Sequence, residues 1–279
     1  MIQLSSTKDV VATLGRARTI DAQAYTLHGD VLHGLEDAAR RGAHVSVRLE
    51  GRPFKNPKLA EENQRVVNAL RAAGADAALG HPLHAKAIEA DGALYLDDQN
   101  WGRQDLVLRD DHPVDVVMRK SEALAQEASL LLAGNGVGAI VETESFGRYN
   151  PVSAALEKLA RAGSAPRLLV SERDLRGNVK ERAALARLAG EGVAIRVCEN
   201  SEKLALSGNR AWVGSANATV AFGESDMTDW GLRTDDATIV NAVRSRIEAQ
   251  WNSAKPFLTS PRRSKQCQRV AVGDVEDLG

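Results

Sequence analysis

Cysteine is nearly absent from this chain of 279 residues: Cys198 and Cys267 are the only two. So small a number excludes a disulfide framework or a thiolate metal site, and both are read as reduced thiols. Aromatic residues make up only 4%, with no interleaving of basic and aromatic residues of the kind that stacks single-stranded bases. No aromatic-rich lid or amphipathic anchor for a bilayer stands out either. No apolar run approaches the roughly 20 residues that span a membrane. The start, Met1-Ile2-Gln3-Leu4-Ser5-Ser6-Thr7-Lys8, lacks an apolar core behind a basic segment, so a soluble, cytoplasmic protein is expected. An excess of one charge is missing too, since 36 Lys and Arg face 37 Asp and Glu. No global field steers polyanions, although segregated charges can still form a local patch. Histidine is absent from the second half: His28, His33, His44, His81, His84 and His112 all lie in the first.

What is present is globular in character. With 43% hydrophobic and 26% charged residues, the length suits one large domain or two intimately packed halves. Residues 31–42 carry apolar residues at helical spacing and stop at Gly42, and the strand-like run 45–49 follows. A second helix is predicted over about 60–73, stopping near Gly74, with strands over 75–79 and within 84–96. Helices interleaved with short strands predict an α/β fold with a mixed or mostly parallel sheet.

The chain also repeats itself. The run from His84-Ala85-Lys86 to Asn100 aligns with the run from Ser201-Glu202-Lys203 to Asn217, because 201−84, 203−86 and 217−100 all equal 117. Upstream, residues 31–49 match 152–170 and residues 62–73 match 180–188; downstream, residues 105–111 resemble 229–236. Duplication therefore covers most of residues 15–255 and predicts two repeats, 1–135 and 136–258, related by a pseudo-twofold axis. Residues 259–279 read as a polar tail.

His84-Ala85-Lys86, followed after four residues by Asp91, and Gly214-Ser215-Ala216-Asn217 in the second repeat carry a further signal. Together they resemble the phospholipase D superfamily, marked by H-x-K-x4-D and a G-[ST]-x-N-like turn, usually twice in one chain. The resemblance implies two α/β repeats packed as a sandwich with central mixed sheets, and a phosphodiesterase needing neither metal nor cofactor. His84 is then the nucleophile that forms a phosphohistidine, splitting one difficult displacement into two. Lys86 and Lys203, with the Asn100 and Asn217 amides and Ser215, form a cradle for the nonbridging oxygens. Asp105 or Asp229 would orient the imidazole through its second nitrogen, with the choice between them open.

The departures from the pattern shape the functional expectation. Ser201 stands where the second His belongs, Gly208 where the second Asp belongs, and Asp97-Asp98 replaces the first Gly-Ser pair. Serine is too weak an acid to protonate a leaving oxygen, so Glu142, Glu144, His81 or water would have to serve. Taken alone, His84 would more often be a structural histidine, Lys86 the solvent side of an edge strand, and Glu142 and Glu144 solvated strand ends; the shared register favours function for the lysines and asparagines. The catalytic set is thus His84, Lys86, Asp91, Asn100, Ser201, Lys203 and Asn217. The substrate is a phosphodiester, either phospholipid or nucleic acid. The alternative is a pseudoenzyme that binds phosphate without turnover.

Overall fold

In the computed structural model the described residues are 2–258 apart from 55, 103, 104, 112–115, 135, 137 and 200. The tail 259–279, with Cys267, lies outside them, as does His112. The first half runs β1 (Ile2–Ser5), α1 (Thr7–Leu14), β2 (Thr19–Ala24), α2 (Gly29–Arg40), β3 (His44–Glu50), α3 (Pro57–Ala72), β4 (Asp76–Gly80), β5 (Lys86–Ala90), β6 (Ala93–Asp97) and β7 (Val107–Asp110). It continues through β8 (Val117–Arg119), α4 (Lys120–Ala133), β9 (Ile140–Thr143), α5 (Pro151–Arg161), β10 (Arg167–Ser171), α6 (Glu172–Leu175), α7 (Val179–Gly190) and β11 (Ala194–Cys198). The chain then adds β12 (Leu204–Ser207), β13 (Arg210–Gly214), β14 (Thr228–Thr234), α8 (Ala237–Ser253) and β15 (Lys255–Pro256).

Two mixed sheets result, and their orders are the same path walked twice. The first is β1-β7-β6-β5-β2-β3-β4; the second, read from its β8 edge, is β8-β14-β13-β12-β9-β10-β11, extended by β15. In each, three strands run parallel through helical crossovers and the rest are antiparallel. This is the duplicated mixed α/β architecture that the sequence predicts. β8 and α4, which precede residue 136, pack with the second sheet.

Period-two burial explains the layering. On β6, Tyr95 faces α1 and α2, while Leu94 and Leu96 face inward. On β13, Trp212 faces α4 and α5, while Ala211 and Val213 face inward. The inward faces meet in one apolar layer that also holds Trp230 and α8, through Ile239, Val243 and Ile247. Helices therefore cover both outer faces and the repeats share the middle. The Trp230 Nε1–H donates to the Asp97 carbonyl 2.9 Å away, a buried bond between the halves.

The β5–β6 and β12–β13 hairpins turn on two-residue loops. Asp91 (φ 49) and Gly92 (φ 85) adopt the left-handed conformations of a type I′ turn, and Gly208 (φ 61) opens the corresponding turn 117 residues later. Gly214, at the end of β13, is glycine for a different reason: a Cβ there would lie 2.7 Å from the Trp230 carbonyl oxygen and collide with the Trp212 ring. Gly214→Ala should therefore lower stability by about 1–3 kcal/mol, measurable by urea unfolding. A loss below about 0.5 kcal/mol would show that Trp212 can move aside.

Candidate active site

The segment before β5 is sewn onto the opposite repeat. The backbone N–H groups of His84 and Ala85 both donate to the Thr228 carbonyl at 2.7 Å, and the Thr228 N–H donates to the Pro82 carbonyl at 3.1 Å. This pairing delivers His84 to Asp229, the next residue of β14. The His84 Nδ1 lies 2.8 Å from Asp229 Oδ1, which also accepts the Ser215 hydroxyl at 2.6 Å. Ser215 is fixed in turn by the Trp230 N–H at 3.0 Å. Of Asp105 and Asp229, it is Asp229 that contacts His84. Asp105 turns onto its own loop, accepting the Gly102 N–H at 2.5 Å and the Asn100 N–H at 3.3 Å.

Lys86 opens β5 beside His84, its Nζ 3.2 Å from Nε2 and 3.3 Å from Nδ1. Tyr25 meets the imidazole edge-on, with centroids 5.0 Å apart. Burial, then Lys86, pushes the His84 imidazole down to about 4. Burial and Lys203 bring Lys86 down to about 7. Burial would raise Asp229, but His84, Lys86 and the Ser215 hydroxyl outweigh it and hold the carboxyl at about 2. At neutral pH the outcome is an ionised Asp229, a neutral imidazole with its proton on Nδ1, and a lone pair on Nε2. That is the form a nucleophilic histidine needs. With 14% of its side-chain surface exposed, His84 is reachable by a substrate.

Lys203, buried just before β12, reaches the Ser201 carbonyl and lies 3.4 Å from Glu144 Oε2. Burial would raise Glu144, but Lys203, Lys86 and Arg173 hold it below the usual carboxylate range. An anion so stabilised suits a lysine counter-ion better than a proton donor. Glu142 pairs across the strands with Leu204 and shares its face toward the inner layer, opposite to Lys203. Asn217 Oδ1 accepts the Ser145 N–H at 3.3 Å, which holds the carboxamide next to Glu144.

Asp91 is not brought to this cluster. It lies in the hairpin turn at the far end of β5, where its carboxylate accepts the N–H groups of Arg18 (3.0 Å) and Thr19 (2.9 Å). Gly208 in the second repeat answers the same demand for positive φ. Asp91 thus has a capping role, not one in a catalytic cluster.

The second half-site is filled rather than vacant. The Ser201 hydroxyl donates to Gln99 Oε1, and Gln99 aligns with the small Ala216 of Gly214-Ser215-Ala216-Asn217, since 216−99 is again 117. A carboxamide thus reaches the residue that stands in the histidine position. Asp97 and Asp98 are buried and raised well above the usual carboxylate range. Burial is the main cause for both, followed by Asp98 for the first and Glu202 for the second. Their substitution for Gly-Ser was visible in the sequence, but the burial of both was not. Tyr25 carried no sequence signal, and Gln99 only its place between Asp98 and Asn100.

No protein-family model and no curated protein sequence matches the chain. Solved structures do. Phosphatidylserine synthase from Haemophilus influenzae Rd KW20 superposes with a TM-score of 0.63 at 11% identity, over 92% of this chain and 87% of that one. Polyphosphate kinase from Porphyromonas gingivalis gives 0.59 at 14% identity, over 90% of this chain but only 47% of the kinase. The chain has a phospholipase D-like fold. A similarity to Nuc from Salmonella typhimurium, a phospholipase D family member, has a TM-score of 0.44 at 19% identity and covers 51% of this chain and 97% of that one.

Asp229→Asn should remove the charge that keeps the His84 proton on Nδ1. Nitrogen-15 shifts should then report a change in the His84 tautomer, and any turnover should fall by about 10²–10⁴-fold. An unchanged tautomer would mean that Asp229 does not orient the ring.

Proposed function

We propose that the protein is a metal-independent phosphodiesterase that works through a phosphohistidine at His84. The observation that carries this reading is the polarised imidazole: Asp229 anchors Nδ1 while Nε2 adjoins the buried Lys86 ammonium. In the first step Nε2 attacks phosphorus, the N–P bond forms and the bond to the leaving oxygen breaks. Lys86 and Lys203, with the Asn100 and Asn217 amides, neutralise the charge that grows on the nonbridging oxygens. Water, or an alcohol, then attacks the phosphohistidine and releases His84. A phospholipid or a nucleic acid fits this chemistry, and the cleft is shared by the two repeats.

A second reading has its own support in the Gln99–Ser201 contact. With no second imidazole opposite His84, the cradle would bind a phosphodiester and leave it intact. The two readings differ in turnover rather than in affinity for oxyanions.

The test is hydrolysis of bis-p-nitrophenyl phosphate in EDTA as a function of pH. Attack needs neutral His84, so kcat/KM should rise with pH through about 4. The cradle needs protonated Lys86, so kcat/KM should fall again through about 7. Lys86→Arg, whose guanidinium stays charged, should move the alkaline limb upward. His84→Ala should abolish turnover. Vanadate binding to a wild type that cleaves no diester would favour the binding protein instead.

A further inference from the structure

We propose that the mouth of the cleft is a platform for single-stranded nucleic acid, with Phe54, Tyr149 and Phe222 stacking on bases and Arg52 and Arg148 meeting phosphates. The proposal rests on reading the His84 cleft as a phosphodiester site, and it chooses between the substrates left open above.

The sequence shows few aromatics, and none is grouped with basic residues over a long run. Folding gathers them. Among the described residues, most aromatic side chains are wholly or partly buried, whereas Phe54 is 77%, Tyr149 70% and Phe222 72% exposed. All three stand on loops at the end of the sheets that carries the site: Phe54 between β3 and α3, Tyr149 between β9 and α5, Phe222 between β13 and β14. The Phe54 N–H donates to the Tyr25 hydroxyl at 3.2 Å, and the Tyr25 ring packs on His84. On the other side, the Gly147 N–H and the Asn150 side chain donate to the Ala218 carbonyl at 2.8 and 2.9 Å, which ties the Tyr149 loop to the loop bearing Phe222. Phe54 thus stands on one repeat, on the loop that bonds Tyr25, and Tyr149 and Phe222 stand on two joined loops of the other.

Charge favours a polyanionic strand. The Arg148 guanidinium lies 5.2 Å from the Tyr149 ring centroid, and Arg52 stands two residues before Phe54. Neither forms an ion pair with a described carboxylate, whereas Arg173 is paired with Glu144 and Arg176 with Glu199. An aromatic face next to an uncommitted guanidinium suits a base and its phosphate. A membrane would call for a contiguous apolar belt or an amphipathic helix. Here the exposed aromatics stand on three separate loops, with Asn56, Asn150 and Glu224 close to them in sequence. A duplex keeps its bases stacked inside and gives separated platforms nothing to stack on.

The experiment measures binding, so it stands apart from turnover. Full-length His84→Ala, which leaves the strand uncut, is titrated into a labelled dodecamer of thymidine, the matched duplex, and vesicles of phosphatidylcholine with phosphatidylglycerol. Single-strand binding should be at least about tenfold tighter than duplex binding and should weaken as salt rises. Adding Phe54→Ala, Tyr149→Ala or Phe222→Ala should weaken it by roughly fivefold or more each, the effect of a lost stack. Replacing Tyr149 by Trp should retain it. These side chains are exposed, so thermal melts should match those of His84→Ala alone. Equal affinity for duplex, indifference to all three truncations, or binding to vesicles in place of the oligonucleotide would overturn the proposal. Single-strand binding that depends on the aromatics, with a wild type that cleaves nothing, would sustain the platform and remove only the catalytic reading.

Discussion

Much of the site depends on the contact between Asp229 and His84, which joins a carboxylate of one repeat to an imidazole of the other. A buried carboxylate is costly unless it is paired and hydrogen-bonded. Asp229 meets that cost with the His84 Nδ1–H and the Ser215 hydroxyl, and Ser215 is held by the backbone of Trp230, itself a central residue of the inter-sheet layer. The packing of the repeats and the orientation of the His84 imidazole are therefore one arrangement. Backbone bonds from Thr228 to His84 and Ala85 enforce it by fixing the register between the halves.

Around that contact the site gathers cations in a poorly solvated place. Lys86 and Lys203 are both buried, and burial and Lys203 weaken the hold of Lys86 on its proton; Asp229 and Glu144 are the nearby anions that make the pair tolerable. An arriving phosphodiester would place further negative charge beside the two lysines, and burial strengthens that attraction relative to water. The neutral imidazole follows from the same balance, since burial and Lys86 together disfavour a third cation. Of the candidate proton donors, Glu144, Glu142 and Ser201 are not arranged to protonate the leaving oxygen. Glu144 is held ionised, Glu142 faces the other side of its strand, and Gln99 meets Ser201 where the second imidazole would belong.

The duplication was legible because a constant offset of 117 survives wherever backbone geometry demands the same residue type, and that register led to the two-sheet fold. Lys86 and Lys203 share that register, whereas His84 aligns with Ser201 and Ser215 with Asp98, so His84 and Ser215 were singled out by the motif alone. Asp91 shows where the reasoning misleads: a motif position was preserved by a turn that needs positive φ, a demand that Gly208 meets equally well. Which acidic residue faces His84 could not be read, because it depends on the exchange between repeats rather than on sequence distance. Nor could the exposure of Phe54, Tyr149 and Phe222, which lie on three loops far apart in the chain.

The central claim is that His84 attacks phosphorus, and trapping the adduct tests it most directly. The protein would be mixed with an activated phosphodiester in EDTA, quenched at alkaline pH, where phosphohistidine survives, and weighed intact before peptide mapping. The account predicts a mass increase equal to the esterified phosphoryl group, located on His84 and absent from His84→Ala. An adduct on any other residue, or hydrolysis that proceeds unchanged in His84→Ala, would contradict it.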